Sequence, residues 1–187
     1  MNFFVTNISL WQQWEIDFRR NYMYNVGREI YLSREENKLN EKVIKKAEEI
    51  LASLTKFEHG CFECCVLALI DTDGYPTAAT ISPCIIDGIR SLTFCTGMGS
   101  NWVKRIEKCD RASVCFNSEE KQYNITLVGT VEIVTDIEVK KEAWFDGMGY
   151  YYKGPEDPGF CVLRFTTKRY SLMLNEHDSN SNARGAL

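Results

Sequence analysis

The segment Phe94-Cys-Thr-Gly-Met-Gly-Ser-Asn-Trp-Val-Lys-Arg-Ile106 has the residue types for holding an anion. An extended run ends at Thr96, Gly97 and Gly99 let the backbone turn closely, and Ser100 is placed to open a helix with Lys104 and Arg105 in its first turns. Free N–H groups at a helix start, a hydroxyl and nearby cations suit a phosphate. The same spacing also describes an ordinary strand, turn and serine-capped helix. A second cluster, His59-x-Cys61-x-x-Cys64-Cys65, has thiol and imidazole groups that suit zinc or thiol redox exchange. Structural zinc sites usually pair two such knuckles, and no second one follows. Cys64 and Cys65, if extended, point to opposite faces. His177 lies in a polar stretch and reads as solvated.

Positioning these groups falls to a series of short elements. Trp11, Trp14, Phe18 and Tyr22 make one helical stripe within residues 1–35, an N-terminal extension. Asn40 can cap a helix in which Val43, Ile44, Ala47, Ile50, Leu51 and Leu54 recur with helical period. From Cys64 the rhythm becomes extended. Cys64–Ile70 and Pro76–Ser82 flank the turn Asp71-Thr-Asp-Gly74, and Asp87-Gly88 marks the next turn before Ser91–Thr96. Met98–Lys108 has helical spacing, and Ala112–Asn117 and Tyr123–Val134 read as strands. Thr135-Asp-Ile-Glu138 reads as a capping box opening a helix with Val139, Ala143 and Trp144. After the loop Gly154-Pro-Glu-Asp-Pro-Gly159, Phe160–Phe165 and Arg169–Leu174 are extended, and residues 176–187 read as a disordered tail. Successive hairpins with short helices between them predict an antiparallel sheet of six strands closing into a barrel or sandwich.

Composition bounds the function. The chain has 187 residues, 44% of them hydrophobic, and a formal net charge of -4. That supports a packed core and one main domain, and excludes global disorder. The acidic balance argues against nucleic acid, which a clustered basic face would serve. No apolar run is long enough for a spanning helix. Met1–Asn7 is apolar but lacks a preceding basic stretch, so the reading is no signal peptide and a cytoplasmic protein. The cysteines mostly lie inside apolar runs and read as small buried hydrophobes, not disulfide partners.

Four segments in order carry a resemblance: Asp73-Gly-Tyr-Pro76, the Phe94–Ile106 segment, Arg111-Ala-Ser-Val-Cys-Phe116 and Asn124-Ile-Thr-Leu-Val-Gly-Thr-Val-Glu-Ile-Val134. With the preceding helix, this order resembles the pyridoxamine 5'-phosphate oxidase-like, FMN-binding split-barrel family, and within it the general stress protein branch. The resemblance covers roughly residues 40–174 and implies a split β-barrel over residues 36–175, mainly β with flanking helices. It implies a homodimer with an FMN in each of two clefts between subunits. Ala79, Thr80, Ile81 and Ser82 would run along the isoalloxazine, largely through backbone contacts. Thr96, Gly97, Ser100 and Asn101 would lie near the ribityl and phosphate groups, and Asn124 matches a flavin-side glutamine of the oxidases. Trp144 and Tyr150, Tyr151 and Tyr152 are candidates for a cleft wall supplied by the second subunit, although Trp144 on its helix reads more readily as a core residue.

The departures lie at the phosphate. The oxidases place an arginine and a lysine where this chain has Ala79 and Cys84, and a serine–arginine–lysine run where it has Ser100-Asn101-Trp102. Lys104 and Arg105, about a turn further along the helix, are the cations that could compensate. The residues that bind the B6 substrate phosphate have no counterpart here. The resemblance therefore implies a flavin-dependent oxidoreductase acting on an unidentified small molecule, with no evident acid–base residue. A non-enzymatic module binding flavin, heme or a related ligand is the alternative.

Overall fold

The computed structural model describes residues 5–54, 64–176 and 179–187. Two compact units divide it, Met1–Glu41 and Lys42–Leu187. The sequence put the boundary at residue 35, and the second unit also takes in residues 176–187.

The first unit is helical throughout its described residues. The helix α1 spans Val5–Leu54, so it does not begin at Asn40. The polar stretch before Asn40 is made of good helix formers, and Glu35 pairs with Lys38 at 2.9 Å one turn on. Asn40 therefore lies inside a continuing helix. The side chains of Trp11, Trp14 and Phe18 lie outside the described residues, as do His59 and Cys61.

The second unit is an eight-stranded antiparallel sheet curled into a split barrel, in the order β2-β1-β5-β6-β7-β4-β3 with β8 also on β7. Its strands are β1 (Cys65–Ile70), β2 (Pro76–Ile81), β3 (Pro83–Asp87), β4 (Ser91–Gly97), β5 (Arg111–Ser118), β6 (Tyr123–Val134), β7 (Phe160–Glu176) and β8 (Ser179–Ala186), with the short helices α2 (Asn101–Ile106) and α3 (Ile137–Ala143) between them. The sequence anticipated six strands and missed two. β3 starts on Pro83, which has no N–H to donate, and carries a register shift between Pro83 and Ile85, so its alternation is broken. β8 comes from the stretch read as a disordered tail. It pairs with the far half of β7 from Arg169 to Glu176, which β4, whose pairing with β7 stops at Thr166, no longer reaches. Hydrogen bonds to an otherwise open edge order a segment whose polar side chains gave no signal.

Alternation decides which face is inside. Leu67, Val114, Leu127 and Phe165 are fully buried, joined by Leu92 and Phe94 of β4 and by Leu172 of β7. The end of α1 closes over this core with Val43, Ala47, Leu51 and Leu54 on one stripe. Burying each leucine contributes about 1.5–3 kcal/mol. A second cluster lies beyond the barrel proper, where Ala143, Met148, Phe160 and Val162 pack with Cys84, Cys95, Trp144 and Tyr152.

Candidate functional site

The Asp71 carboxylate closes the β1–β2 turn by accepting the N–H groups of Asp73 and Tyr75, both at 2.9 Å. Those bonds, the one from Tyr75 foremost, hold its carboxyl below the usual carboxylate range, helped by the nearby Arg105 guanidinium. β2, thus positioned, pairs on one side only, with β1. Its other edge carries no strand among the described residues, so its outward N–H and C=O groups are open to a ligand or a partner chain.

Register places the β2 candidates on two faces. Ala79 and Ile81 oppose Leu67 and Cys65, which are buried, and Ile81 packs on the core. Only the backbone of Ile81 can meet a ligand. Thr80 opposes Val66, which opposes Cys115, which opposes Thr126, so these four share the outer face of the sheet. Ser82 lies on that face too, with its Oγ 3.3 Å from Cys64 Sγ. Asn124 joins them from β6: its Nδ2 donates to Asn117 Oδ1 at 3.2 Å, and its Oδ1 accepts from Thr126 Oγ1 at 3.0 Å. Beside Asn124 a pocket of about 240 Å³ opens between the β5–β6 turn and β7, lined by Asn117, Gln122, Asn175 and Met173 among others. No lysine or arginine lines it.

The second group of candidates is at the end of β4. Thr96 and Gly97 end the strand, and Met98 N–H donates to the Gly159 carbonyl at 2.8 Å. Ser100 caps α2 as anticipated, its Oγ accepting Val103 N–H at 3.4 Å. Val103 and Ile106 bury the inner face of α2, which turns Asn101 and Lys104 outward. Neither Lys104 nor Arg105 has an ion-pair partner among the described residues. The structure therefore gathers Thr80, Ser82 and Asn124 on one face and Thr96, Gly97, Ser100, Asn101 and Lys104 at the β4–α2 turn. No hydrogen bond joins the two groups.

The aromatic candidates divide between the core and the surface, and Trp144 takes the core place its helix favoured. Trp144 packs edge-on against Phe160 of its own chain, with centroids 5.3 Å apart, and is therefore part of the second core cluster. Tyr152 also stacks on Phe160, at 5.2 Å, and its hydroxyl approaches Gly97, where a β-carbon would come within 2.8 Å of it. Burial pushes the Tyr152 phenol up. Only Tyr150 and Tyr151 remain exposed, at 91% and 80%. The α3 cap is Asp136, not Thr135: its Oδ1 accepts from both Glu138 and Val139 N–H groups.

Sequence reasoning missed two features outright. Cys84 and Cys95 bring their sulfurs to 3.5 Å across β3 and β4. Lys140 is buried, its Nζ donating to the Asp157 carbonyl at 2.9 Å and lying 5.5 Å over the Phe160 ring. Neither had a sequence signal, because β3 was not seen as a strand and a lysine at a helix end reads as solvated. No group of three or more metal-ligating side chains occurs among the described residues.

Successive hairpins, the curled antiparallel sheet and a glycine turn into α2 define the split-barrel class of fold. The chain belongs to the pyridoxamine 5'-phosphate oxidase family, whose sequence model matches residues 49–174. Solved structures agree on the fold. A Clostridium acetobutylicum protein related to general stress protein 26 is 24% identical over 79% of this chain and 96% of its own, with a TM-score of 0.62. A heme binding protein from Mycobacterium smegmatis is 18% identical over 75% of this chain and 57% of its own, with a TM-score of 0.56. A pyridoxamine 5'-phosphate oxidase-related, FMN binding protein from Nostoc punctiforme is 14% identical over 66% of this chain and 86% of its own, with a TM-score of 0.50. No curated protein matches the chain. No helix among the described residues is long and apolar enough to cross a membrane.

Proposed function

We propose that this protein binds FMN and acts as a cytoplasmic, flavin-dependent oxidoreductase on a small molecule. Family membership supports the reading, and one observation carries it: the open edge of β2 adjoins an outer sheet face where Thr80, Ser82, Thr126 and Asn124 offer hydroxyl and amide groups. A planar, polar-edged ring fits such a face through backbone N–H and C=O groups, which do not depend on side-chain identity. When bound, the flavin supplies the electron or hydride transfer. The chain's own residues orient it and hold its phosphate.

For the phosphate, the residues present fit with fewer cations than the family pattern. Ser100 Oγ accepts Val103 N–H and keeps its own O–H to donate, and Lys104, exposed one turn into α2, is the nearest cation on that helix to meet a dianion. The flavin-side and phosphate-side candidates lie on different elements of one protomer. The resemblance to the family supports a homodimer in which a second copy closes each cleft. A ligand-binding module without turnover is the second reading, favoured by Ala79 and Cys84 at positions where the oxidases have cations and by the heme-binding neighbour.

The visible absorption spectrum of freshly purified protein, with mass spectrometry of whatever acid releases, tests this. A flavin spectrum with FMN released supports the primary reading, and turnover of a reduced nicotinamide then separates enzyme from module. A Soret band and released porphyrin support the module. A colourless protein that takes up no added FMN overturns the flavin reading.

A further inference from the structure

β3 and β4 are neighbouring antiparallel strands, and the register between them slips by one residue at Cys84. The slip turns the Cys84 thiol toward β4, where its Sγ is 3.2 Å from the Thr93 carbonyl and 3.5 Å from Cys95 Sγ. Cys95 Sγ is in turn 3.3 Å from the Ala143 carbonyl at the end of α3. Both residues are half-buried in the apolar cluster with Val162 and Trp144. Two sulfurs at that separation are near van der Waals contact. The two residues are not register partners: Cys84 is the extra residue of the bulge between Pro83 and Ile85, which oppose Phe94 and Thr93, so a disulfide here runs on the diagonal and draws on the freedom of the bulge. Side-chain rotation with a small shift at the bulge closes the remaining gap to about 2.05 Å.

We propose that Cys84 and Cys95 form a reversible dithiol–disulfide site that hydrogen peroxide oxidises. The single Cys95 proton is shared between the Ala143 carbonyl and the Cys84 sulfur; directed at Cys84, it holds that thiol below its ordinary range and makes Cys84 the nucleophile. Its thiolate attacks one peroxide oxygen, the O–O bond breaks, and the leaving hydroxide takes a proton to become water. Cys84 is now a sulfenic acid. Cys95 is held protonated chiefly by the Cys84 sulfur beside it, with burial adding to this. Oxidation of Cys84 removes the charge that held that proton. Cys95 sulfur then attacks Cys84 sulfur, the S–O bond breaks, and the Cys95 proton leaves with the hydroxide as a second water. Two thiols and one peroxide give one disulfide and two waters. A small-molecule dithiol reverses the step by exchange.

Cys65 and Cys161, both buried, are poorer candidates for the first attack. Burial pushes Cys65 up to about 12 and Cys161 up to about 11. The full chain, reduced and desalted, is exposed to hydrogen peroxide, alkylated and weighed intact. The expected result is loss of two alkylation sites with loss of two hydrogens, reversed by dithiothreitol. Trypsin cuts at Arg90, so the disulfide should link the fragment of residues 57–90 to that of residues 91–104, which holds Cys95 as its one cysteine. Fragmentation should place the first partner at Cys84, and Cys84→Ser should abolish the link. No loss of alkylation sites in the wild-type protein, or a link that maps to other cysteines and survives Cys84→Ser, overturns the proposal. The wild-type map needs no variant to fold.

Discussion

Gly129 of β6 lies so close to the Thr166 carbonyl of β7 that a β-carbon on Gly129 would collide with it. The contact occurs where the β6–β7 register shifts between Val128 and Gly129, so the longest strand pair of the barrel bends there with the two backbones nearly touching. Gly129→Ala must push β7 away, and neighbouring backbone cannot swing aside as a side-chain end would. We expect it to destabilise the fold by about 2 kcal/mol, within the range for overpacking. Urea denaturation followed by circular dichroism measures this, and a midpoint equal to wild type would contradict the geometry.

Asp157 ties the loop before β7. Its carboxylate accepts N–H groups from Lys153 at 2.9 Å and Gly159 at 2.8 Å, and these bonds hold its carboxyl below the usual range. A depressed carboxylate contributes stability that is present above the unfolded value of about 3.9 and lost as pH falls through the folded one. Asp157→Ala should therefore melt below wild type at neutral pH, and the gap should close in acid below about pH 4. Thermal melts of both proteins across that range decide it. A gap that persists in acid would assign the effect to packing alone.

Ala183 of β8 is 2% exposed and packs with the main core. A disordered tail would accept a charge there without consequence. Ala183→Asp should instead cost about 2–3 kcal/mol, the order for burying an unpartnered polar group. Chemical denaturation reads the change, and an unchanged midpoint would show that β8 contributes nothing to the fold.

Lys104 and Lys108 are both exposed, but only Lys104 lies within α2, one turn from Ser100. If the phosphate of FMN rests at this turn, Lys104→Ala should weaken FMN about fivefold, or ~1 kcal/mol for a solvent-screened pair. Lys108→Ala should change it less. Fluorescence quenching of FMN on titration with each variant gives the comparison. Equal affinities would move the phosphate elsewhere.

Much of the fold was legible because it is local. The short apolar run Cys65–Ile70 and the alternation of Tyr123–Val134 are local signals, and Val43, Ala47, Leu51 and Leu54 need only the period of a helix. Ser100 caps α2 from its own sequence neighbourhood. The order of these elements, with Asp73–Pro76 and Arg111–Phe116, was enough to point to the family. Failures came where a contact partner lies far along the chain. Trp144 reads as core from its helix, but its partner Phe160 of β7 is not legible from its neighbours. β8 became a strand because β4 leaves the far half of β7 open.

The sequence by itself therefore determined the hairpins, the amphipathic end of α1, the capped turn into α2 and the class of fold, since each depends on residues within a few positions of one another. Only the tertiary structure decided which faces those elements share. It put Thr80 and Asn124 on one outer face and Ser100 and Lys104 elsewhere, and brought Cys84 to Cys95 through a bulge. Strand register sets such distances, and register depends on pairings between distant segments that no local pattern encodes.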